Sequence, residues 1–363
     1  MRSLATLAGG MAAGGTQASG SEGSTNPADL YRPDGIDRAV ERGIDFLVKI
    51  AGKRDDGAIT DRGHATAMTS LAVMAMASIG ITPSDVGRRG EAMRKGIDFV
   101  LKPANQTMAG YFGAADGSRM YGHGIATLML TEMLGMGASV EQNERIHDAL
   151  VDAIAQILAA QSVRKEKRLQ GGWRYQPKST DSDLSISVWQ VMALRSAKND
   201  GLDVPGEAIE SALGYLENSF TQPRGRRNED VSNLGGFTYL PGASNPTFSM
   251  TAAGLLAMQV CGRYESPMVK ASAEWLMRND PRQNERFFYY GMYYYAQGMH
   301  QVGGKYAQKA SRLVATRLLE LQKSSGAFAA NVNDERNIGE VYCTALALLS
   351  LTVRYHYLPI YQR

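Results

Sequence analysis

Cysteine is nearly absent from this chain: Cys261 and Cys343 are the two among 363 residues. Neither belongs to a CxxC pair or a Cys/His cluster at metal-ligand spacing, so no disulfide framework, metal site or cofactor is expected. So few cysteines suit a reducing compartment and equally an exported protein without disulfides. Long apolar runs are also missing, since no segment reaches the ~18 uninterrupted residues of a membrane span. Nor does one sign of charge prevail: 39 Lys and Arg against 36 Asp and Glu leave a formal +3. The basic cluster "PRGRRNED" (Pro223 to Asp230) is answered at once by acids and reads as a solvated loop. Nucleic acid is therefore not an expected partner.

What the chain does have is 44% hydrophobic residues, enough for a large core, and an unusual start. Residues 1–35 open with "MRSLATLAGGMAAGGTQASGSEGSTNPAD". One arginine, a small-residue stretch and "TQA" read as a weak or truncated export signal, or as a flexible tail. Export to a periplasmic location is favoured over a cytoplasmic one.

Aligning the chain with itself gives six apolar runs, each opening on small or polar residues. They start at His64, Tyr121, Asp183, Thr247, Tyr289 and Gly339. Being apolar on nearly every side, they are expected to be buried helices. An amphipathic helix precedes each, as in "IDRAVERGIDFLVKI", where Ile44, Leu47 and Val48 mark one face. The turns between repeat as well: "LQGGWRY", "NLGGFTY", "AGYFGA" and "LQKSSGAFAA" each join glycine to an aromatic. Glycine permits positive φ at the helix exit, and the aromatics Trp173, Phe237 and Phe328 are read as packing between units.

A period of about 45 to 60 residues lies in the range of helical-pair repeats. Stacked pairs would leave two raw ends, and neither the first nor the last unit reads as a polar cap. The expected fold is therefore all-α: residues 36–363 close into one α/α toroid of six hairpins. Six inner helices form a barrel with all their N-termini at one mouth, and six outer helices surround it.

Gly-Gly-Trp turns repeated before alanine-rich helices resemble the prenyltransferase/squalene-cyclase (squalene oxidase) repeat family, over about residues 36 to 357. The chain looks most like the single-toroid bacterial members. The resemblance implies a terpenoid-cyclase-like fold and a central apolar pocket for an isoprenoid or other hydrophobic ligand. It also implies terpene cyclase or prenyltransferase-type activity, but with incomplete motifs. Squalene-hopene-type cyclases follow Gly-Gly-Trp with Asp-x-Asp-Asp-Thr, whose middle acid is the proton donor. Here Asp183 matches that acid and Asp181 the first, while Leu184 replaces the last. Those enzymes also use two barrels, and this chain supplies one. The zinc ligands of protein prenyltransferases are incomplete: Cys343 opens an inner helix, but no Asp-x-Cys pair exists.

Closure would gather Arg62, His64, Tyr121, His123, Asp181, Asp183, Tyr239, Tyr289, Tyr290, Glu340 and Tyr342 at one rim, a default pocket. Asp183 and Asp181 are candidate acids and equally candidate helix caps. A helix N-terminus stabilises the charged carboxylate, so Asp183 works as an acid only if burial or a second carboxylate raises its pKa. His64 and His123 are read at matching positions, each as a base, a ligand donor or a core histidine. His123 is the catalytic candidate and His64 a ligand-binding one. Tyr121, Trp173, Tyr239, Glu340 and Tyr342 complete the ligand-binding set with Tyr290 and Tyr294, which helical spacing puts on one face near Tyr293. These tyrosines suit stacking on sugars, stabilising a cation, or plain packing. The eighteen methionines read as adaptable core filler.

Three functional classes remain. The leading one is the apolar-ligand protein just described. A carbohydrate-active toroid would pair Asp183 with Glu340 and use Tyr290 as a sugar platform. A non-catalytic interaction module would bind another protein through the rim or the basic loop. Whether the chain is an enzyme, and whether two toroids pair, the sequence leaves open.

Overall fold

Apolar residues at Val40, Ile44 and Leu47 fall on one stripe of a helix, and the charged Arg38, Glu41, Arg42 and Asp45 fall outside it. In the computed structural model, which describes residues 34–107, 109–223, 232–330 and 333–362, that stretch is α1 (Gly35–Ala51), with the stripe buried. The leading tail and the basic loop at 224–231 lie outside the described residues. The other outer helices are α3 (Arg88–Val100), α5 (Val140–Ser162), α7 (Gly206–Asn218), α9 (Pro267–Arg278) and α11 (Gly304–Leu319). The inner helices are α2 (Ala65–Ala77), α4 (Arg119–Met133), α6 (Leu184–Asn199), α8 (Phe248–Val260), α10 (Phe288–Val302) and α13 (Glu340–Leu351). A short α12 (Asn333–Ile338) precedes the last, and two-residue strands β1 (Phe220–Thr221) and β2 (Gly236–Phe237) pair antiparallel. In α8 every residue is buried, and its small residues Ser249, Ala252, Ala253, Gly254 and Ala257 allow close approach of its neighbours.

The inner helices touch in the order α2, α4, α6, α8, α10, α13 and back to α2, which is a closed ring. Each outer helix packs mainly on the inner helix before it, as α3 does on α2 and α11 on α10. The chain's first helix, α1, takes the matching place on its last inner helix, α13. The sequence reading grouped each outer helix with the inner one that follows. The packing pairs it instead with the one before, and this offset lets the first segment seal the last.

The turns carry a repeated hydrogen bond. The N–H of a buried turn residue donates to a side chain one turn into the inner helix. Ile59 donates to Thr69 at 2.9 Å, Trp173 to Ser187 at 2.9 Å, Phe237 to Thr251 at 3.1 Å and Phe328 to Thr344 at 2.9 Å. Phe112 donates to His123 Nδ1 at 3.4 Å in the same position. His123 is therefore the repeat equivalent of Thr69, while His64 lies outside α2 as its N-cap in left-handed backbone, φ 59°. The two histidines do not match, contrary to the sequence alignment. The turn glycines seat on the next outer helix. A Cβ on Gly171 (φ 89°) would stand 2.1 Å from the Ser211 carbonyl of α7, and one on Gly326 (φ 89°) 2.1 Å from the Arg42 carbonyl of α1. Only glycine fits both that φ and that approach.

The helix starts are capped around the ring by the next unit. Asp116 takes Thr66 and Ala67 N–H of α2 at 2.9 and 3.3 Å. Glu335 takes Tyr289 and Tyr290 N–H of α10 at 3.1 and 3.2 Å. Asp61, from the first turn, takes Glu340 and Val341 N–H of α13 at 2.7 and 3.2 Å, which closes the circle. Carbonyls do the same for α4 and α6, where Met120 N–H donates to Tyr175 and Leu184 N–H to Tyr239. The far ends are also stitched, for instance Arg195 to the Val260 carbonyl and Gln297 to the Leu349 carbonyl.

Candidate functional site

Four mouth carboxylates act as helix caps, and three are used up in doing so. Both oxygens of Asp61, Asp116 and Glu335 accept hydrogen bonds. Asp183 differs. It caps its own helix, but Oδ1 alone takes Ile186 N–H at 3.0 Å and the Ser185 hydroxyl at 2.6 Å. Its Oδ2 is buried without a hydrogen bond, and so is Arg174 Nη1, 3.5 Å away. That separation is longer than a charge-assisted hydrogen bond.

Burial pushes the Asp183 carboxyl above the ordinary carboxylate range, against the opposing pull of Ser185, Ile186, Arg174 and Tyr239. Desolvation thus wins over the helix terminus, the reversal that an acid at this position requires. Tyrosines surround it. Tyr121 bonds Ser185 through its hydroxyl at 2.5 Å, and Tyr175 and Tyr239 share a 2.8 Å hydroxyl contact. Arg174 lies over both of the latter rings, 4.9 and 5.6 Å from their centres. Asp181 is exposed on the other side of Arg174, 3.4 Å from Nε.

Tyr290 and Tyr294 do share a face, with ring centres 4.7 Å apart. They point into the barrel. The Tyr290 hydroxyl reaches the Ser185 carbonyl at 3.0 Å, bridging α10 and α6, which are not neighbours in the ring. Behind it Tyr293 lies flat on Trp189, 5.6 Å away at 9°. The expected open central pocket is therefore replaced, among the described residues, by rings filling the axis at this level. Tyr342 is buried beside Glu335, Tyr121 and Tyr290.

The remaining candidates fall elsewhere. His123 is fully buried, faces outward, and bonds the Ala153 carbonyl of α5 through Nε2 at 3.1 Å. Burial lowers its pKa to about 4, so it stays neutral and holds helices together rather than serving as a mouth base. Trp173 is 1% exposed and donates Nε1–H to the Ile157 carbonyl, also away from the mouth. His64 is exposed and bonds the Asp116 carbonyl. Glu340 pairs with Lys323 at 2.5 Å. It stands at the start of α13, opposite α6 in the ring order, which separates it from Asp183. There it lines a cleft of about 410 Å³ with Asp61, Arg62, Arg336 and Cys343.

Sequence reasoning passed over Arg174, Tyr175 and Ser185. Arg174 and Tyr175 stand inside the quoted "GGWRY", where a cation between aromatics two residues past the turn was a usable signal. No helix among the described residues is long and apolar enough to cross a membrane.

No protein-family model matches the chain, and no curated protein matches it in sequence. Solved structures match it in shape. The α-1,6-mannanase GH76A of Salegentibacter sp. HEL1_6 superposes with a TM-score of 0.58 at 9% identity, covering 89% of this chain and 100% of that one. The type II terpene cyclase MstE of Scytonema gives 0.53 at 13% identity, covering 88% and 98%. A protein from Actinoplanes gives 0.52 at 15% identity, covering 88% and 99%. A variant of the mannanase is bound to α-1,6-mannotriose, and a variant of the cyclase to its substrate geranylgeranyl dihydroxybenzoate. At these identities the likeness establishes the α/α toroid.

Proposed function

We propose that the chain is a single-acid catalyst of the terpene-cyclase kind, related to the squalene-cyclase repeat proteins. It would bind an isoprenoid or similar hydrophobic ligand at the mouth and use Asp183 to protonate it. The buried Oδ2 of Asp183, which accepts no hydrogen bond and meets only Arg174 at ion-pair distance, carries this reading, because both oxygens of the other three capping carboxylates accept hydrogen bonds. Oδ1 is held by Ser185 and Ile186, which leaves Oδ2 as the oxygen that would carry and deliver a proton. Transfer to an alkene carbon would leave a carbocation on the ligand and a carboxylate that Arg174 can steady. Tyr121 offers the π density that stabilises such a cation, since Arg174 already lies over the rings of Tyr175 and Tyr239. The likeness to a terpene cyclase supports this reading at the level of fold.

The test is Asp183→Asn, whose amide oxygen keeps the Ser185 and Ile186 bonds. Wild-type protein incubated with linear polyprenyl compounds should give cyclised products by mass spectrometry. The variant should fold normally and lose at least 100-fold in rate, within the range for general acids. Equal turnover by both proteins would refute the assignment.

A second reading is carbohydrate hydrolysis, favoured by Asp181 and Asp183 flanking Arg174 and by the likeness to the mannanase. Asp181 would then supply the second carboxylate that the mechanism needs, in place of the distant Glu340. Release of reducing sugar from α-mannan, lost in both Asp181→Asn and Asp183→Asn, would establish it over the first. Activity on mannan that survives Asp181→Asn would exclude it.

A further inference from the structure

Glu132 lies near the end of α4, after the apolar stretch "IATLML", and is 3% exposed. Its environment satisfies it poorly. The Ser196 hydroxyl donates to Oε1 at 2.9 Å, and a single N–H, that of Ile360, is shared between the two oxygens at 3.3 and 3.4 Å. Among the described residues no lysine or arginine forms an ion pair with it. A buried carboxyl with so few donors is unfavourable unless something else calls for it. Burial holds this one near pH 8 against the pull of Ser196 and Ile360, and Asp200 adds to the rise.

The group that covers Glu132 is the chain's own strap. After α13 the backbone runs through Thr352–Tyr355, bends at His356 in left-handed geometry (φ 56°) and enters the mouth where the inner helices end. Leu358, Ile360 and Tyr361 are 4, 5 and 7% exposed. The Tyr361 ring stands edge-on to Tyr293, 6.4 Å away at 73°, and their hydroxyls bond. Tyr293 in turn lies on Trp189. At the strap's start His356 and His300 meet through their Nε2 atoms at 2.5 Å. The strap thus sets a tyrosine against the Tyr293 ring and a backbone N–H against the Glu132 carboxyl. Closing an apolar barrel does not need an acid, because any carbonyl would accept the Ile360 N–H. An acid set among rings is instead the complement of a cation on an apolar body.

We propose that this mouth is a binding site for an amine bearing an aryl or alkyl body, and that the segment Leu358–Tyr361 occupies it as an intramolecular stand-in. Binding lifts the strap, places the ammonium on Glu132 and lays the apolar body along Tyr293. The site lies at the end of the barrel away from Asp183 and does not depend on the role given to that residue.

Intramolecular competition weakens apparent affinity in proportion to the fraction of closed molecules, so removing the competitor must strengthen binding. The test is calorimetric titration of the full chain with tyramine, and with p-cresol as its uncharged counterpart. Tyr361→Ala should bind tyramine at least tenfold more tightly than wild type. Adding Glu132→Gln to that variant should reverse the gain at least tenfold for tyramine while leaving p-cresol unchanged. Circular dichroism checks that each variant is folded. Should Tyr361→Ala fail to fold, Tyr361→Phe, which removes only the hydroxyl bridge, should bind tyramine about threefold more tightly than wild type, on the same competition. Equal affinity in wild type and the tyrosine variant would overturn the proposal. So would equal losses for tyramine and p-cresol on Glu132→Gln, or the absence of tyramine binding to a folded variant.

Discussion

Replacing Glu132 by Gln should change how stability depends on pH, in a direction and window that the structure sets. Burial raises the folded-state pKa from an ordinary 4.5 to about 8. Between those values the native state holds a proton that the unfolded chain has released, so stability falls as pH rises. This carboxyl's penalty is absent below pH 4.5, grows across the window and levels off above pH 8. One such group contributes at most about 1.4 kcal/mol per pH unit, on the order of 5 kcal/mol over the window. Glutamine keeps the oxygen that accepts from Ser196 and Ile360 but cannot ionise. Urea denaturation of both proteins, followed by circular dichroism from pH 5 to pH 9, isolates the effect. Glu335, raised to about 7, slopes the same way but is present in both and cancels in the difference, whereas Asp200, raised to about 6, repels Glu132 and is relieved of that repulsion in the variant. The variant should gain on wild type by several kcal/mol as pH rises. Parallel curves, or a gain toward acid, would refute the placement of an unpaired carboxyl there.

His123→Thr should be more stable than His123→Ala by about 1 kcal/mol in thermal denaturation, because threonine restores the acceptor that Thr69 and Thr251 supply in other units. Because the His123 pKa is lowered to about 4, its neutral form is the native one. Wild type should accordingly lose stability relative to His123→Thr as pH falls from about 6.5 toward 4. Gly171→Ala should cost roughly 2 kcal/mol or more in denaturant titrations, since the added methyl meets the Ser211 carbonyl at 2.1 Å and φ is 89°. Asp61→Ala should cost about 1 kcal/mol by the same measure, through the lost cap on α13.

Much of the architecture was legible because it repeats. Glycine beside a buried aromatic recurs before helices that are apolar on all sides, and the absence of polar end units pointed to a closed ring. The His64–His123 pairing failed because two histidines were matched by residue type, whereas the recurring feature is an acceptor for the turn N–H. Threonine, serine and histidine all meet that need, and no residue code shows it. The acid at Asp183 was legible as a position. Its free oxygen was not, since that depends on whether Ser185 and Ile186 crowd onto the same atom. The filled axis was hidden for a similar reason: helical spacing put Tyr290 and Tyr294 on one face but left open whether that face was wall or plug. Glu132 did leave a trace, as a lone acid in the apolar length of α4.

Because each inner helix but α8 begins against a neighbour's turn, and α1 completes α13, the ring offers no outermost repeat from which fraying can start. Amides at the first and last hairpins should exchange with solvent as slowly as those midway round. Loss of one hairpin would expose two seams at once, so melting should proceed as a single event instead of travelling inward from an edge.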